Sequence, residues 1–85
     1  MVVEKKIVLV TGANRGIGLE VCRQLLDAGH RVILTSRNAE AGHLAVRSLN
    51  GTGKGVAFHP LDVTNQHQIE LLAEFIKREF GRLDV

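Results

Sequence analysis

Ile7-Val8-Leu9-Val10-Thr11-Gly12-Ala13-Asn14-Arg15-Gly16-Ile17-Gly18 is the stretch on which the reading of this chain turns. Its continuous apolar run stops at Thr11-Gly12, the pattern of a strand buried on both faces in a parallel sheet. From Ile17 the period changes. Ile17, Val21, Leu25 and Ala28 recur at offsets of four, four and three, with Cys22 and Leu26 beside them, which gives a helix one apolar face. Gly29 just past Ala28 marks a C-terminal cap. A strand that reverses sharply into a helix needs a residue free to take positive φ, and Gly12 supplies it. Gly16 has no side chain to hold an anion off the backbone, and Gly18 lets the helix pack tightly on the sheet. The unpaired N–H groups of the first helical turn then face that anion, with the helix dipole behind them.

Working outward, the alternation repeats. Val32-Ile33-Leu34 reads as a second strand, and Asn38 as the cap of a helix whose apolar stripe is Ala41, Leu44, Ala45 and Leu49, ending near Gly51. Gly53-Lys54-Gly55 leads into a short strand at Val56-Ala57-Phe58. Leu61-Asp62-Val63-Thr64-Asn65 closes that strand and opens a third helix, where Asn65 and Gln68 have the spacing of a capping box. Ile69, Leu72, Ala73, Ile76 and Phe80 fall at offsets of zero, three, four, seven and eleven before Gly81, a strong helical period. The order β-α-β-α-β-α predicts an α/β fold of the Rossmann type, a doubly wound parallel sheet with right-handed crossovers. Strand one is apolar throughout and reads as central. In a sheet ordered 3-2-1 it needs a further strand on its free side, and a new apolar run begins at Leu83-Asp84-Val85. Residues 1–85 are therefore expected to be the N-terminal part of a single Rossmann domain, its first β-α-β-α-β-α half, with the remainder absent. The alternative is a complete mini-domain whose open edge a partner covers.

Composition narrows the function classes. The 85 residues are 45% apolar, too many for disorder, and their longest apolar run is too short to span a bilayer. The start Met1-Val2-Val3-Glu4-Lys5-Lys6 does not read as a signal peptide. A net charge of +2 argues weakly against nucleic-acid binding by bulk charge. One cysteine, Cys22, allows no internal disulfide and suits a reducing cytoplasm. Cys22 reads as a buried small hydrophobe, and the spacing of His30, His43, His59 and His67 is not that of metal ligands. Of these, His59 is expected to pack at a strand end. The sequon Asn50-Gly51-Thr52 carries little weight without an export signal.

The glycine spacing, G-x-x-x-G-x-G, is neither the G-x-G-x-x-G fingerprint nor a P-loop. Thr11–Gly18 resembles the cofactor signature of short-chain dehydrogenases/reductases. Val32–Asn38, Leu61-Asp62-Val63 and Gly81-Arg82-Leu83-Asp84-Val85 fall where that family has its second strand, third strand and approach to the fourth. The likeness covers the whole chain and is greatest to the carbonyl-reductase-like, NADP-dependent members, which are considerably longer.

The residues themselves bear on the cofactor. An NAD site places an acid near the end of strand two, about 20 residues past the glycines, to hold the ribose 2′-OH. Here no carboxylate lies between His30 and Ala39, and Arg37 stands at that end. A guanidinium grips a 2′-phosphate where a carboxylate would repel it. The resemblance implies the same NADP(H) preference through Arg37 together with Arg15 in the glycine turn. It also implies adenine contacts from Asp62 and Val63, and further contacts from Asn14 and Ile17, mainly through the backbone. The cofactor-binding set is thus Gly12, Asn14, Arg15, Gly16, Ile17, Gly18, Arg37, Asp62 and Val63.

The family's chemistry uses a Ser, a Tyr-x-x-x-Lys pair and a supporting Asn. This sequence has no Tyr and the likeness ends before those positions, so no catalytic residue carries over and the chain alone is expected to be inactive. The expected function is the cofactor-binding portion of an NADP(H)-dependent oxidoreductase acting on a small carbonyl or alcohol substrate. A non-catalytic NADP-binding sensor, or another Rossmann nucleotide-binding protein, stands as the alternative. Oligomeric state is not legible.

Overall fold

The computed structural model describes residues 5–49 and 55–85. The elements are β1 (Ile7–Val10), α1 (Gly16–Asp27), β2 (Arg31–Ser36), α2 (Ala39–Leu49), β3 (Val56–Pro60) and α3 (Gln66–Glu79). All pairing is parallel in the order β1-β2-β3, with Val8 opposite Val32 and Val32 opposite Val56. The predicted architecture, half of a doubly wound sheet, is present. The sequon at Asn50 and the end of α2 near Gly51 lie outside the described residues.

The strand alternation divides the core. Val32 and Leu34 of β2 pack with Cys22 and Leu26 of α1 and with Ala45 and Leu49 of α2 on one face. Ile7 and Ile33 pack with Leu61, Leu72 and Ile76 on the other, under α3. Residues 32–36 are all buried, as expected for a strand with helices on both sides. On the edge of β1 away from β2, Leu9 N–H donates to Val85 O at 2.8 Å, and Asp84 N–H donates to Ile7 O at 3.0 Å. Residues 84 and 85 thus lie alongside β1, where a further strand was expected.

The helix faces differ from the sequence reading. In α1, Ile17 is 84% exposed, Val21 is 41% exposed and Ala28 is also exposed, so the buried stripe runs through Cys22 and Leu26, with Leu19 and Leu25 partly covered. Periodicity fixes that a helix has an apolar side, but the angle at which it meets the sheet selects among adjacent apolar residues. Leu44 of α2 likewise faces outward, and Gly42 is buried in its stead. In α3, Ile69 and Ala73 are exposed and Phe75 packs inward beside Leu72 and Ile76.

The caps follow local chemistry. Gly29 takes φ 93°, with Gly29 N–H on Leu26 O and His30 N–H on Leu25 O, a Schellman ending to α1. Asn65 Oδ1 accepts Gln68 N–H at 3.0 Å. The reciprocal half of the expected capping box is redirected: Gln68 Oε1 accepts from Asp62 N–H at 2.7 Å.

Candidate functional site

The C-terminal ends of the strands lie side by side, and the β1–α1 turn is tied to them. Ala13 N–H donates to Thr35 O at 2.9 Å, and Thr35 Oγ1 donates to Val10 O at 2.9 Å. Leu61 N–H donates to Ser36 O at 3.0 Å, which brings the start of the β3–α3 loop to the same edge. Within the turn, Gly12 has φ 60° and Gly16 φ 62°, and a Cβ at either would meet nothing within 4 Å. Backbone shape, not crowding, requires glycine there.

Gly18 answers to a different constraint from the one expected. A Cβ on it would lie 3.1 Å from Ala13 Cα and 3.2 Å from Gly12 O. The close approach is between the first turn of α1 and the glycine turn itself, not the sheet.

A cleft of about 340 Å³ opens at this edge, lined by Gly12, Asn14, Arg15, Arg37 and Asn38. Four of the residues expected at a cofactor site therefore share one wall system, two of them cations. Gly16, Ile17, Gly18, Asp62 and Val63 are not among its lining residues. Ile17 is 84% and Val63 60% exposed. Asn38 is the lining residue that sequence reasoning read only as a cap. It is one: Asn38 Oδ1 accepts Ala41 N–H at 2.9 Å. Its place directly after Arg37 at a strand-to-helix turn was the signal available.

The helix starts are unequal. Helix α2 has the Asn38 cap and Glu40 in its first turn, and α3 has the Asn65 cap. Helix α1 has Arg15 at its cap position, whose side chain makes no capping bond, and its first turn holds no acid. Among the described residues, its leading N–H groups are thus left without a side-chain acceptor beside a cleft that carries two guanidinium groups, which suits an anion.

Asp62 follows β3 by two residues. Its Oδ1 accepts from Thr64 Oγ1 at 2.6 Å and from Thr64 N–H at 2.9 Å. These bonds hold its carboxyl below the usual aspartate range, and Arg37 adds a smaller electrostatic pull in the same direction.

Elsewhere, burial pushes the Cys22 thiol up to about 11, which keeps it protonated and un-nucleophilic at neutral pH. The His59 ring lies 4.9 Å from that of Phe75, the packing expected at a strand end. Among the described residues no helix is long and apolar enough to cross a membrane, and no group of His, Cys, Asp or Glu is placed to hold a metal ion.

Comparison with known proteins places this geometry. Residues 6–85 match the family model described as short chain dehydrogenase. The chain is 49% identical over 81 residues to (+)-neomenthol dehydrogenase of Arabidopsis thaliana, covering 91% of this chain and 27% of that protein. Among solved structures, menthone neomenthol reductase from Mentha piperita superposes with a TM-score of 0.91 at 40% identity, over 96% of this chain and 30% of its own. A metagenomic short-chain oxidoreductase in complex with NADP superposes at 0.85 and 33% identity, over 93% of this chain and 36% of its own. This chain thus spans about 27–36% of the length of these relatives. The extent of the match, from Lys6 to Val85, together with the glycine turn at the β1–α1 crossover, shows that the chain belongs to the short-chain dehydrogenase/reductase family.

Proposed function

We propose that these 85 residues are the cofactor-holding first part of a single Rossmann domain in an NADP(H)-dependent oxidoreductase acting on small carbonyl or alcohol substrates. One observation carries this reading: among the described residues, the cleft between the uncapped start of α1 and the end of β2 is lined by two arginines and by no carboxylate. The cofactor bound to the metagenomic relative is NADP, which agrees with that charge.

The residues present fit the cofactor. Gly12 and Gly16, at positive φ and with open space where a side chain would stand, leave the turn free to receive a diphosphate. The first N–H groups of α1 donate to it, with Asn14 and Ile17 contributing mainly backbone contacts and Gly18 keeping the helix close to the turn. Arg37, supported by Arg15, recognises the 2′-phosphate. Asp62 and Val63 serve the adenine. The bound cofactor supplies the hydride, and this part of the protein supplies binding and orientation.

With no Tyr in the sequence, the chain on its own is expected to give no reductase turnover. Its lone, buried cysteine fits a reducing compartment, and we place it in the cytoplasm.

The test is a fluorescence titration of the chain with NADPH and NADH. Arg37→Asp should weaken NADPH binding about 10- to 100-fold, the loss of a charge-assisted contact, and change NADH binding little. Equal losses for the two cofactors would remove the assignment.

A further inference from the structure

The β3–α3 loop contains an arrangement that the cofactor reading does not require. Asp62 Oδ1 is occupied twice by Thr64, through Oγ1 at 2.6 Å and through N–H at 2.9 Å. Gln68 Oε1 fixes the same residue's backbone by accepting Asp62 N–H at 2.7 Å, and Gln68 is held in turn by its N–H on Asn65 Oδ1. The carboxylate is therefore gripped at one oxygen, and no hydrogen bond from the described residues engages Oδ2. The residue is half-exposed, at the edge where Arg37 follows the end of β2.

We propose that Thr64 is a positioning residue: by holding Asp62 Oδ1 it fixes the direction of Oδ2, and so lets Asp62 distinguish a base bearing an exocyclic amine from one bearing a carbonyl. This rests on the assignment of Asp62 to the adenine. A free carboxylate rotates about χ2 and offers either oxygen over a broad range of angles. One whose first oxygen already accepts two donors has a single oxygen left, in one orientation. Thr64 is exposed, so Thr64→Val keeps volume and backbone while removing only the hydroxyl.

The probes are adenosine 2′,5′-bisphosphate, inosine 2′,5′-bisphosphate and adenosine 5′-monophosphate, titrated calorimetrically into the chain. The wild-type chain should favour the adenosine over the inosine bisphosphate about tenfold, the effect of one hydrogen bond to a charged group. Thr64→Val should bring that ratio close to one, and Thr64→Ser should restore it. The ratio of bisphosphate to monophosphate, which reports on Arg37, should stay unchanged in Thr64→Val.

A Thr64→Val chain that keeps the adenine preference overturns the positioning role while leaving Asp62 in place. A wild-type chain that binds both bisphosphates equally overturns it through Asp62, with the phosphate reading intact. Failure to bind any of the three overturns the proposed function itself.

Discussion

Gly16 shows how much a single backbone angle decides. Its φ of 62°, with open space where a Cβ would stand, means that alanine there costs only the left-handed conformation, about 1–2 kcal/mol. Gly16→Ala should lower stability by about that much in a denaturant titration. Gly18→Ala differs, because its Cβ would press at 3.1–3.2 Å on Ala13 Cα and Gly12 O, main-chain atoms that have little room to yield. It should shift the turn and weaken dinucleotide binding more than it lowers stability, a split that parallel melting and binding curves would reveal. The need for glycine at 12 was legible in the sequence, since a strand-to-helix reversal is a local demand; Gly16 was read only as room for an anion, and its positive φ comes from the shape of the turn that follows. What Gly18 touches was not, because that contact depends on how the turn folds back over the helix. Arg37 was legible for a similar reason: the end of β2 is set by its own apolar run, and the missing acid is a fact of composition. The presence of Asn38 in the cleft depends on two elements meeting, which no single window of residues contains.

Helix α2 makes the same case at the scale of an element. A Cβ on Gly42 would run into the Phe58 ring, so the helix and that ring pack together with no room left for a side chain. That ring is also 4.7 Å from the His43 imidazole, which limits where it can retreat. Gly42→Ala gains about 1 kcal/mol of helix propensity, against an overpacking cost of about 1–3 kcal/mol. A net loss of stability is expected. Combining it with Phe58→Leu, which opens the space, should recover part of that loss in a double-mutant cycle, and strictly additive losses would show that the two positions do not share a contact. Nothing in the residue pattern hinted at this, because glycine inside an apolar helical period reads as a weakness and not as a packing surface. The same blindness misassigned the faces: Ile17, Val21 and Leu44 satisfy the helical period yet point outward, while Cys22 and Leu26 take the sheet. Hydrophobic spacing identified all three helices, and only the packing angle could say which side of each was covered.

Across the whole molecule, the parallel sheet holds together at both ends of its strands. At the C-terminal ends, Asp62 organises the loop after β3. At the start of β1, Asp84 Oδ2 accepts Ile7 N–H at 2.8 Å, while Arg82 Nε donates to Asp84 and Arg82 Nη2 donates to Lys5 O at 3.2 Å. These bonds fasten residues 82–85 along the outer edge of β1, where a parallel strand would otherwise present unpaired amides. The Ile7 amide and the Arg82 guanidinium hold the Asp84 carboxyl below the ordinary aspartate value of 3.8. A depressed folded-state pKa stabilises fully above the unfolded-state value, and that contribution is lost as pH falls through the folded one. Asp62 is depressed for its own reasons, so the acid limb of the stability profile should carry both carboxylates. Asp84→Asn should therefore lower the melting midpoint near neutral pH and make the acid limb shallower. The gap to wild type should close as pH drops below the folded-state pKa, where the native carboxyl is itself protonated. Amide exchange at Ile7 and Leu9 offers an independent reading: both donate across this edge, to Asp84 and Val85. Loss of the Asp84 carboxylate should accelerate exchange there ahead of the β2 amides at the centre of the sheet. Acid limbs that run parallel in wild type and variant would show that the charge at Asp84 does not hold this edge, and that the backbone bonds of residues 84 and 85 suffice.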